Sequence, residues 1–274
     1  MIEFAPPRFV TVGGRRLAYE EVAPERPEAT VLLLCGIGAK RQGLYRQLPP
    51  LRLRFRALAL DYRDVGESDA VDGPYSIADL AEDVAGVADA LGIARASLVG
   101  ISMGGFVALE LALRRPALVD KLVLVVTSGG GSIHVSTSPR IMRLLAPGDE
   151  PFESGEGARR VCAAVAAPGF AERDPDESDA FVAIARHRPM RREAYLRQLE
   201  ACRAHDVAGR LGEIRAPTLV IHGDVDPLVP VENGRRVAAR IPGARLMVYA
   251  DTGHTPEVER AEAFNRDVIA FLES

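Results

Sequence analysis

The chain has 274 residues, 47% of them hydrophobic and 26% charged, and its 34 basic and 38 acidic residues give a formal net charge of -4. This composition suits one globular domain with an insertion and provides enough apolar residues for a buried core. The slight acidic excess creates no basic field that would attract nucleic acid or an anionic membrane, so we expect a small molecule as the partner.

The sequence shows no targeting segment. Its first residues lack the basic flank and apolar stretch of a signal peptide, and no run of about 18 apolar residues occurs. These features predict a cytoplasmic protein that does not bind membranes. Without repeats or a coiled-coil pattern, we expect a monomer or a small homo-oligomer.

The cysteines and histidines give no sign of a metal site. Cys35, Cys162 and Cys202 have no paired spacing, which argues against a disulfide framework and against a zinc cluster. We interpret them as small buried apolar residues. No histidine has metal-ligand spacing either, so we predict neither a metal nor a cofactor.

The predicted strands begin with a hairpin over 9–12 and 16–22, where Gly13-Gly14 supplies the positive φ of a tight turn. Beyond it, apolar runs alternate with helical stretches, and the runs cover 30–35, 55–60, 96–100, 121–126, 218–221 and 245–249. This alternation predicts an α/β fold with a mostly parallel sheet of about eight strands, flanked by helices on both faces.

Several helices have clear end signals. Ser76 with Asp79 three residues later caps a helix that runs to Leu91 and closes at Gly92. Another helix begins after Ser102. Two more are predicted over 231–241, ended by Pro242-Gly243, and over 256–272, where a proline fits the first turn.

Residues 128–213 lose the strand signal and show short helical patterns. We interpret them as a helical cap inserted into a core that consists of 1–127 and 214–274. Turns are predicted at Pro147-Gly148, Pro168-Gly169, Asp174-Pro175 and Arg188-Pro189. Apolar stripes on the cap helices are interpreted as packing rather than ligand contacts, and they comprise Phe181, Ile184, Ala185, Tyr195, Leu196, Leu199 and Cys202.

The segment Gly100-Ile101-Ser102-Met103-Gly104 lies between a predicted strand and a predicted helix. A strand, a sharp turn through serine and a helix form a nucleophile elbow, in which Gly100 and Gly104 leave room for a strained Ser102. The five-letter pattern alone is modest evidence in a chain with 25 glycines. The flanking strand and helix give it weight.

With the elbow, two further segments resemble the α/β-hydrolase superfamily, in its branch with a serine nucleophile. The resemblance covers essentially the whole chain and implies the α/β-hydrolase fold. Residues 221–230 and 251–254 resemble the family loops that carry the acid and the histidine of a triad, which implies the roles of Asp226 and His254. The order Ser102, Asp226, His254 is the one expected for this fold. Asp224 is the rival acid.

Catalysis by such a triad needs an oxyanion hole of two backbone N–H groups. The resemblance implies the N–H of Met103, next after the nucleophile. By position, the other donor is Ile37, in the segment Cys35-Gly36-Ile37-Gly38, where the family usually has His-Gly. Cys35 as a second nucleophile is a weaker interpretation, because nothing in the sequence places a base beside it.

The segment 61–68 carries Asp64 where the family more often has glycine. This variant resembles aclacinomycin methylesterase-like and enol-lactonase-like small-ester hydrolases. We interpret Arg63 and Asp64 as structural residues of the loop, with ligand contact as the alternative. His222 is expected to make a local hydrogen bond beside the acid loop.

These features predict a serine hydrolase that cleaves a carboxylic ester or lactone of a small, largely apolar substrate through an acyl-enzyme. The alternatives are a carbon-carbon bond hydrolase or perhydrolase with the same triad, and a ligand-binding receptor with residual hydrolase activity. Haloalkane dehalogenases and epoxide hydrolases are disfavoured, because they need aspartate at the elbow. The candidate pocket residues are Gly38, His134, Met142, Phe181 and Leu228, and Phe152 is a further cap residue that could line the pocket.

Overall fold

The computed structural model describes residues 4–145 and 155–274, and these residues contain eight strands. The strands are Arg8–Val12 (β1), Arg15–Val22 (β2), Thr30–Leu34 (β3), Arg56–Leu60 (β4), Ala96–Ile101 (β5), Val119–Val125 (β6), Thr218–Gly223 (β7) and Arg245–Tyr249 (β8). They form one sheet in the order β1-β2-β4-β3-β5-β6-β7-β8. Strand β2 pairs antiparallel with β1 and β4, whereas β3 to β8 run parallel. The predicted sheet is confirmed.

The same residues contain eleven α-helices. They are Leu48–Leu51 (α1), Ile77–Ala90 (α2), Met103–Arg114 (α3), Pro139–Leu145 (α4), Gly155–Val165 (α5), Phe170–Arg173 (α6), Pro175–Arg186 (α7), Arg192–Ala204 (α8), Glu232–Ala238 (α9), Pro256–Glu259 (α10) and Ala261–Glu273 (α11). Helices α2, α3 and α9 pack on one face of the sheet, and α1 and α11 on the other. The predicted turn at Pro147-Gly148 and the candidate residue Phe152 lie outside the described residues.

Strand β3 explains why the central strands are apolar throughout. Leu32 and Leu34 belong to the core on the α2 and α3 face, and Val31 and Leu33 to the core on the α11 face. Successive side chains of a strand point to opposite faces, so a strand covered on both sides needs a continuous apolar run.

Two helix predictions have different outcomes. At the start of α2, the hydroxyl of Ser76 accepts from Asp79 N and the Asp79 carboxylate accepts from Ser76 N, which confirms the predicted cap. The single helix predicted over 256–272 is wrong. Arg260, with φ −131° and ψ 36°, separates α10 from α11, and its guanidinium donates to Thr252 and to the carbonyl of Ala250. Neither proline nor glycine marks this break.

No helix within 4–145 and 155–274 is both long and apolar enough to cross a membrane.

All three cysteines are free. Cys35 and Cys162 are buried, as predicted, whereas Cys202 is partly exposed.

Residues 128–213, called the insert below, connect β6 to β7 and contain α4 to α8. Side chains or backbone groups of the insert are hydrogen-bonded to the loops that follow β3, β4 and β8. These loops emerge from the carboxyl ends of parallel strands, which is where such sheets bind ligands. The insert therefore lies over that edge.

Candidate active site

Ser102 lies in the sharp turn between β5 and α3. Its φ of 54° and ψ of −116° fall in a region that non-glycine residues rarely adopt. Its N–H donates to the carbonyl of Val125 at 2.8 Å, and its own carbonyl accepts from Gly105 N at 2.9 Å and Thr127 Oγ1 at 2.8 Å. These three bonds hold the strained turn in place.

Two glycines allow this turn to pack closely. A Cβ atom on Gly104 would lie 2.0 Å from the carbonyl oxygen of Leu34 in β3, and one on Gly100 would lie 2.4 Å from the carbonyl oxygen of Gly104. Both distances are far below a van der Waals contact. The elbow therefore requires glycine at both positions to bring Ser102 beside the loop that follows β3.

The structure brings Ser102, His254 and Asp226 together. His254 Nε2 is 3.0 Å from Ser102 Oγ, and His254 Nδ1 is 2.8 Å from Asp226 Oδ2. A carboxylate accepts hydrogen bonds only, so Nδ1 carries the proton and Nε2 presents its lone pair to the serine hydroxyl. The three residues come from the loops after β5, β7 and β8.

Asp226 is held as a carboxylate by its surroundings. Its Oδ1 accepts from the backbone N–H groups of Leu228 and Val229, both at 2.8 Å. Burial alone would raise its pKa, but the charge of His254 and the hydrogen bonds from His222 and His254 outweigh burial and lower the pKa of Asp226 to about 2. The side chain is therefore ionised at neutral pH.

The rival acid, Asp224, is not part of this contact. Its side chain is exposed and accepts from Thr252 N at 3.3 Å. His222 makes the predicted local hydrogen bond, from Nε2 to the carbonyl of Val229 at 2.7 Å, and the same nitrogen lies 3.4 Å from Asp226 Oδ2. His222 thus lies beside Oδ2, the same carboxylate oxygen that accepts from His254, a contact that the sequence does not reveal.

Burial of the His254 imidazole would lower its pKa, but the Asp226 carboxylate more than compensates, so the pKa is raised above its ordinary value. The nearby carboxyl groups of Glu257 and Glu259 act in the same direction. This electrostatic environment stabilises the imidazolium form that a general base must pass through.

Contacts from the insert position the histidine loop. His254 N donates to the carbonyl of Val165 at 2.8 Å. The Glu259 carboxylate accepts from Gly253 N on the loop and from Ala167 N on the insert, at 3.0 and 2.9 Å. The sequence does not single out Glu259, because an acidic residue in a helical stretch carries no signal of such a role.

The loop after β3 lies against the serine. A Cβ atom on Gly36 would be 3.3 Å from Ser102 Cβ, and Ile37 lines the same cavity as Ser102. The next N–H, that of Gly38, donates to Gln198 Oε1 of α8 at 2.8 Å, and the Gln198 side chain is fully buried. Gln198 was not singled out by the sequence, because its partner is 160 residues away.

The other expected oxyanion donor, Met103, is the first residue of α3, where the backbone N–H groups of a helix have no partner within the helix. Cys35, which precedes Gly36, is buried, and burial raises the pKa of its thiol. A thiol that stays protonated is a poor nucleophile.

A cavity of about 630 Å³ lies between Ser102, His254 and the insert. Of the predicted pocket residues, Gly38, Phe181 and Leu228 line it. His134 and Met142 are not among the described lining residues. Ser128 Oγ lies 3.1 Å from the His134 ring nitrogen Nδ1, and Met142 is 37% exposed on α4. Helices α5, α7 and α8 therefore contribute side chains to the described wall of the pocket, whereas His134 and Met142 do not.

The interpretation of the apolar stripes as packing needs a correction. Phe181, Ile184 and Ala185 of α7 and Tyr195 of α8 line the cavity, whereas Leu196 is 42% exposed. Helical spacing identifies one face of a helix but not whether that face meets protein or a cavity.

Arg63 and Asp64 have structural contacts, and neither is among the described residues that line the cavity. Arg63 Nε donates to Asp83 at 2.6 Å. Asp64, at φ 68°, accepts two hydrogen bonds from Arg197 of α8, each 3.0 Å long.

No group of three or more His, Cys, Asp or Glu side chains that could hold a metal ion occurs in the described part of the chain.

Comparison with known proteins gives consistent similarities. A family model described as the alpha/beta hydrolase fold matches residues 29–261. RutD of Variovorax paradoxus (strain S110), named as a carbamate hydrolase, is 37% identical over 261 residues, which cover 93% of this chain and 96% of that protein. A 2-hydroxy-6-oxononadienedioate/2-hydroxy-6-oxononatrienedioate hydrolase of Klebsiella pneumoniae is 35% identical over 284 residues, with coverages of 98% and 96%.

Among solved structures, the enol-lactonase from Burkholderia xenovorans LB400 has a TM-score of 0.84 and 30% sequence identity to this chain. The match covers 97% of this chain and 100% of the enol-lactonase. The similarity therefore spans the sheet, its helices and the insert.

Proposed function

The chain belongs to the alpha/beta hydrolase fold family, and from this we propose that it is a serine hydrolase that cleaves a carboxylic ester or lactone of a small, largely apolar substrate. The observation that carries the proposal is the contact of His254 with both Ser102 Oγ, at 3.0 Å, and Asp226 Oδ2, at 2.8 Å. The relatives are hydrolases, but their names differ in the bond that is cleaved.

In the proposed first step, Ser102 Oγ attacks the carbonyl carbon while His254 Nε2 takes the hydroxyl proton. The carbonyl electron pair moves onto oxygen, where the N–H groups of Ile37 and Met103 would stabilise the charge. When the tetrahedral intermediate collapses, the bond to the alcohol oxygen breaks and His254 donates its proton to that oxygen. Asp226 stabilises the imidazolium in between.

In the second step, a water molecule attacks the acyl-enzyme and His254 accepts its proton. The bond between the acyl carbon and Ser102 Oγ then breaks, and the proton returns to the serine. The carboxylic acid leaves and the enzyme is regenerated. With a lactone, acid and alcohol remain in one product molecule.

The insert is proposed to act as a cap over this site. Residues of α5, α7 and α8 line the cavity, among them Val161, Phe181 and Tyr195. An apolar cavity of about 630 Å³ suits a compact substrate.

Carbon-carbon bond hydrolysis is the second candidate, because the relative from Klebsiella pneumoniae is named as a hydrolase of 2-hydroxy-6-oxononadienedioate, a compound that contains no ester or lactone bond. A dioate substrate carries two carboxylates. The cavity wall here contains the carboxyl groups of Glu177 and Glu257, while the Lys40 ammonium donates to the carbonyls of Ala185 and His187. Arg192 also lines the cavity and Glu177 is paired with Arg46, so it is the carboxylate of Glu257, three residues after His254, that favours an uncharged ester over a dianion.

The test is labelling with a fluorophosphonate probe, followed by intact-mass measurement of wild type, Ser102→Ala and Ser136→Ala. Ser136 is an exposed serine and serves as the matched control. We expect labelling of wild type and of the control but not of Ser102→Ala, and hydrolysis of p-nitrophenyl esters in the same pattern. Ester hydrolysis by Ser102→Ala at the wild-type rate would refute the mechanism.

A second experiment compares the bond types. It measures the rate at which the wild type turns over p-nitrophenyl esters, an aryl carbamate and a 2-hydroxy-6-oxo dienoate. Faster cleavage of the dienoate than of every ester would favour the second candidate.

A further inference from the structure

Glu257 is a buried carboxyl in the wall of the cavity, three residues after His254. Glu257 is only 9% exposed, and its Oε2 atom has no hydrogen-bond partner in the described part of the chain. The backbone carbonyl of Glu257 accepts from Gln47 Nε2 at 2.7 Å. The main chain is thus fixed. The carboxylate accepts from its own backbone N–H, whereas its Oε2 lacks a protein partner.

Other polar groups of the cavity wall are engaged with the protein. The Lys40 ammonium donates to the carbonyl of His187 at 2.7 Å, and Glu177 is paired with Arg46. Thr255 Oγ1 donates to Glu259 at 2.9 Å. Glu257 differs from them, because a buried polar atom without a partner is costly in a protein interior.

Glu257 lines the same cavity as Ser102 and His254. Glu257 and His254 each influence the pKa of the other, and the charges of Asp226 and Glu259 also act on Glu257. Burial is the main cause that raises the pKa of Glu257, to about 7. Both the neutral acid and the carboxylate are therefore present near neutral pH.

We infer that Glu257 binds a hydroxyl group of the substrate, so that the substrates are esters or lactones with a hydroxyl group close to the scissile carbonyl. The inference rests on the proposed function, because it places the scissile carbonyl at Ser102. It adds a specificity-determining residue to a wall that is otherwise mostly apolar.

A hydroxyl group fits this position better than a charged group does. It donates to the carboxylate and both donates to and accepts from the neutral acid, so it pairs with Glu257 in either protonation state. An ammonium group would pair with the carboxylate alone. A second carboxylate would be repelled by Glu257 and by the neighbouring Asp226 and Glu259.

The test measures binding without turnover, in Ser102→Ala, by ligand-observed NMR titration with two matched pairs of esters. Ethyl 3-hydroxybutanoate and ethyl 3-methylbutanoate place the hydroxyl or a methyl on the acyl part. The second pair, 2-hydroxyethyl butanoate and propyl butanoate, places it on the alcohol part. We expect at least one hydroxylated ester to bind about tenfold tighter than its methyl analogue, because the analogue leaves the carboxyl unpaired.

The preference should disappear in Ser102→Ala/Glu257→Leu and persist in Ser102→Ala/Glu262→Leu, where an exposed glutamate is replaced. Equal binding of both members in both pairs would overturn the inference, since water alone would then satisfy Glu257. A preference that survives Glu257→Leu would overturn it as well.

In the wild-type background, Glu257→Leu, which removes both the charge and the hydrogen-bonding groups, separates recognition from an effect on His254. If Glu257 acted only through its charge on the base, kcat/KM would fall by the same factor for both esters of a pair, and this result would overturn the inference. We expect the ratio of the two values to change. Failure of fluorophosphonate labelling would refute the proposed function but not a hydroxyl preference measured in Ser102→Ala.

Discussion

Asp64 and Arg197 form a bidentate ion pair between the loop after β4 and helix α8 of the insert, and both of its hydrogen bonds are 3.0 Å long. The Asp64 side chain is fully buried and that of Arg197 is 19% exposed. Val71 N also donates to Asp64, at 3.0 Å. This pair joins the insert to the loop after β4, and neither residue is among the described residues that line the cavity.

Arg197→Met should lower the free energy of unfolding by about 2 kcal/mol, because the buried Asp64 carboxylate loses two hydrogen bonds and keeps only the weaker ion pair with Arg191, whose Nη2 lies 3.6 Å away. Urea denaturation measures the change. Asp64→Gly in the Arg197→Met background should recover part of the loss, since it removes the buried carboxylate and suits the φ of 68°. An unfolding free energy of Arg197→Met equal to that of wild type would show that the pair contributes nothing.

The pH dependence of kcat/KM should report His254. The base must be neutral, and its pKa is raised above the ordinary value of 6.5. The rate is therefore expected to fall as the pH decreases through a value above 6.5, and a stopped assay over pH 5 to 9 measures it. A rate that stays constant down to pH 5 would contradict the assignment.

Asp226→Asn should lower kcat by about four orders of magnitude. The amide can present N–H to Nδ1, which then favours the tautomer with its proton on Nε2, so the ring no longer accepts the proton of Ser102. Single-turnover kinetics with a p-nitrophenyl ester measure the effect. Asp224→Asn is the control, and its kcat should stay near the wild-type value because Asp224 is exposed and does not contact His254.

Gln198→Met should lower kcat by about tenfold and change KM little. The variant removes the acceptor that holds Gly38 N, so the neighbouring N–H of Ile37 becomes less well placed for the charge that develops in the transition state. Gln198→Glu keeps an acceptor oxygen and should retain more activity. A rise in KM alone would mean that Gln198 affects substrate binding instead.

Iodoacetamide should leave the activity of the native enzyme unchanged. Cys35 is buried and its thiol pKa is raised, so little thiolate is available to react. Activity and intact mass are followed together. Modification of Cys35 with loss of activity would restore it as a candidate nucleophile.

The sequence predicts features that depend on neighbouring residues. Ser102 stands out because a strand, two glycines and a helix surround it within a few positions, and the capping pair Ser76 and Asp79 is visible for the same reason. The sheet follows from the apolar runs, because strands covered on both faces need them.

The order Ser102, Asp226, His254 could be predicted across long separations, because each residue lies in a segment that resembles the family. Contacts between distant residues outside those segments could not be predicted. Gln198 meets Gly38 across 160 positions and Arg197 meets Asp64 across 133. Glu259 looks like a surface residue of one long helix until the break at Arg260 turns its carboxylate toward the histidine loop. The sequence contains these residues but no local pattern that distinguishes them from solvent-exposed side chains.

The hydrogen bond from His254 N to the carbonyl of Val165 has a consequence for engineering. The insert cannot be exchanged between relatives as an independent module, because it supplies part of the scaffold of His254, the proposed base. A chimera with a foreign insert would need a carbonyl at the position of Val165 and an N–H at that of Ala167. A grafted insert should therefore keep the hydrogen bond from His254 N to the carbonyl at position 165 and the one from the N–H at position 167 to Glu259.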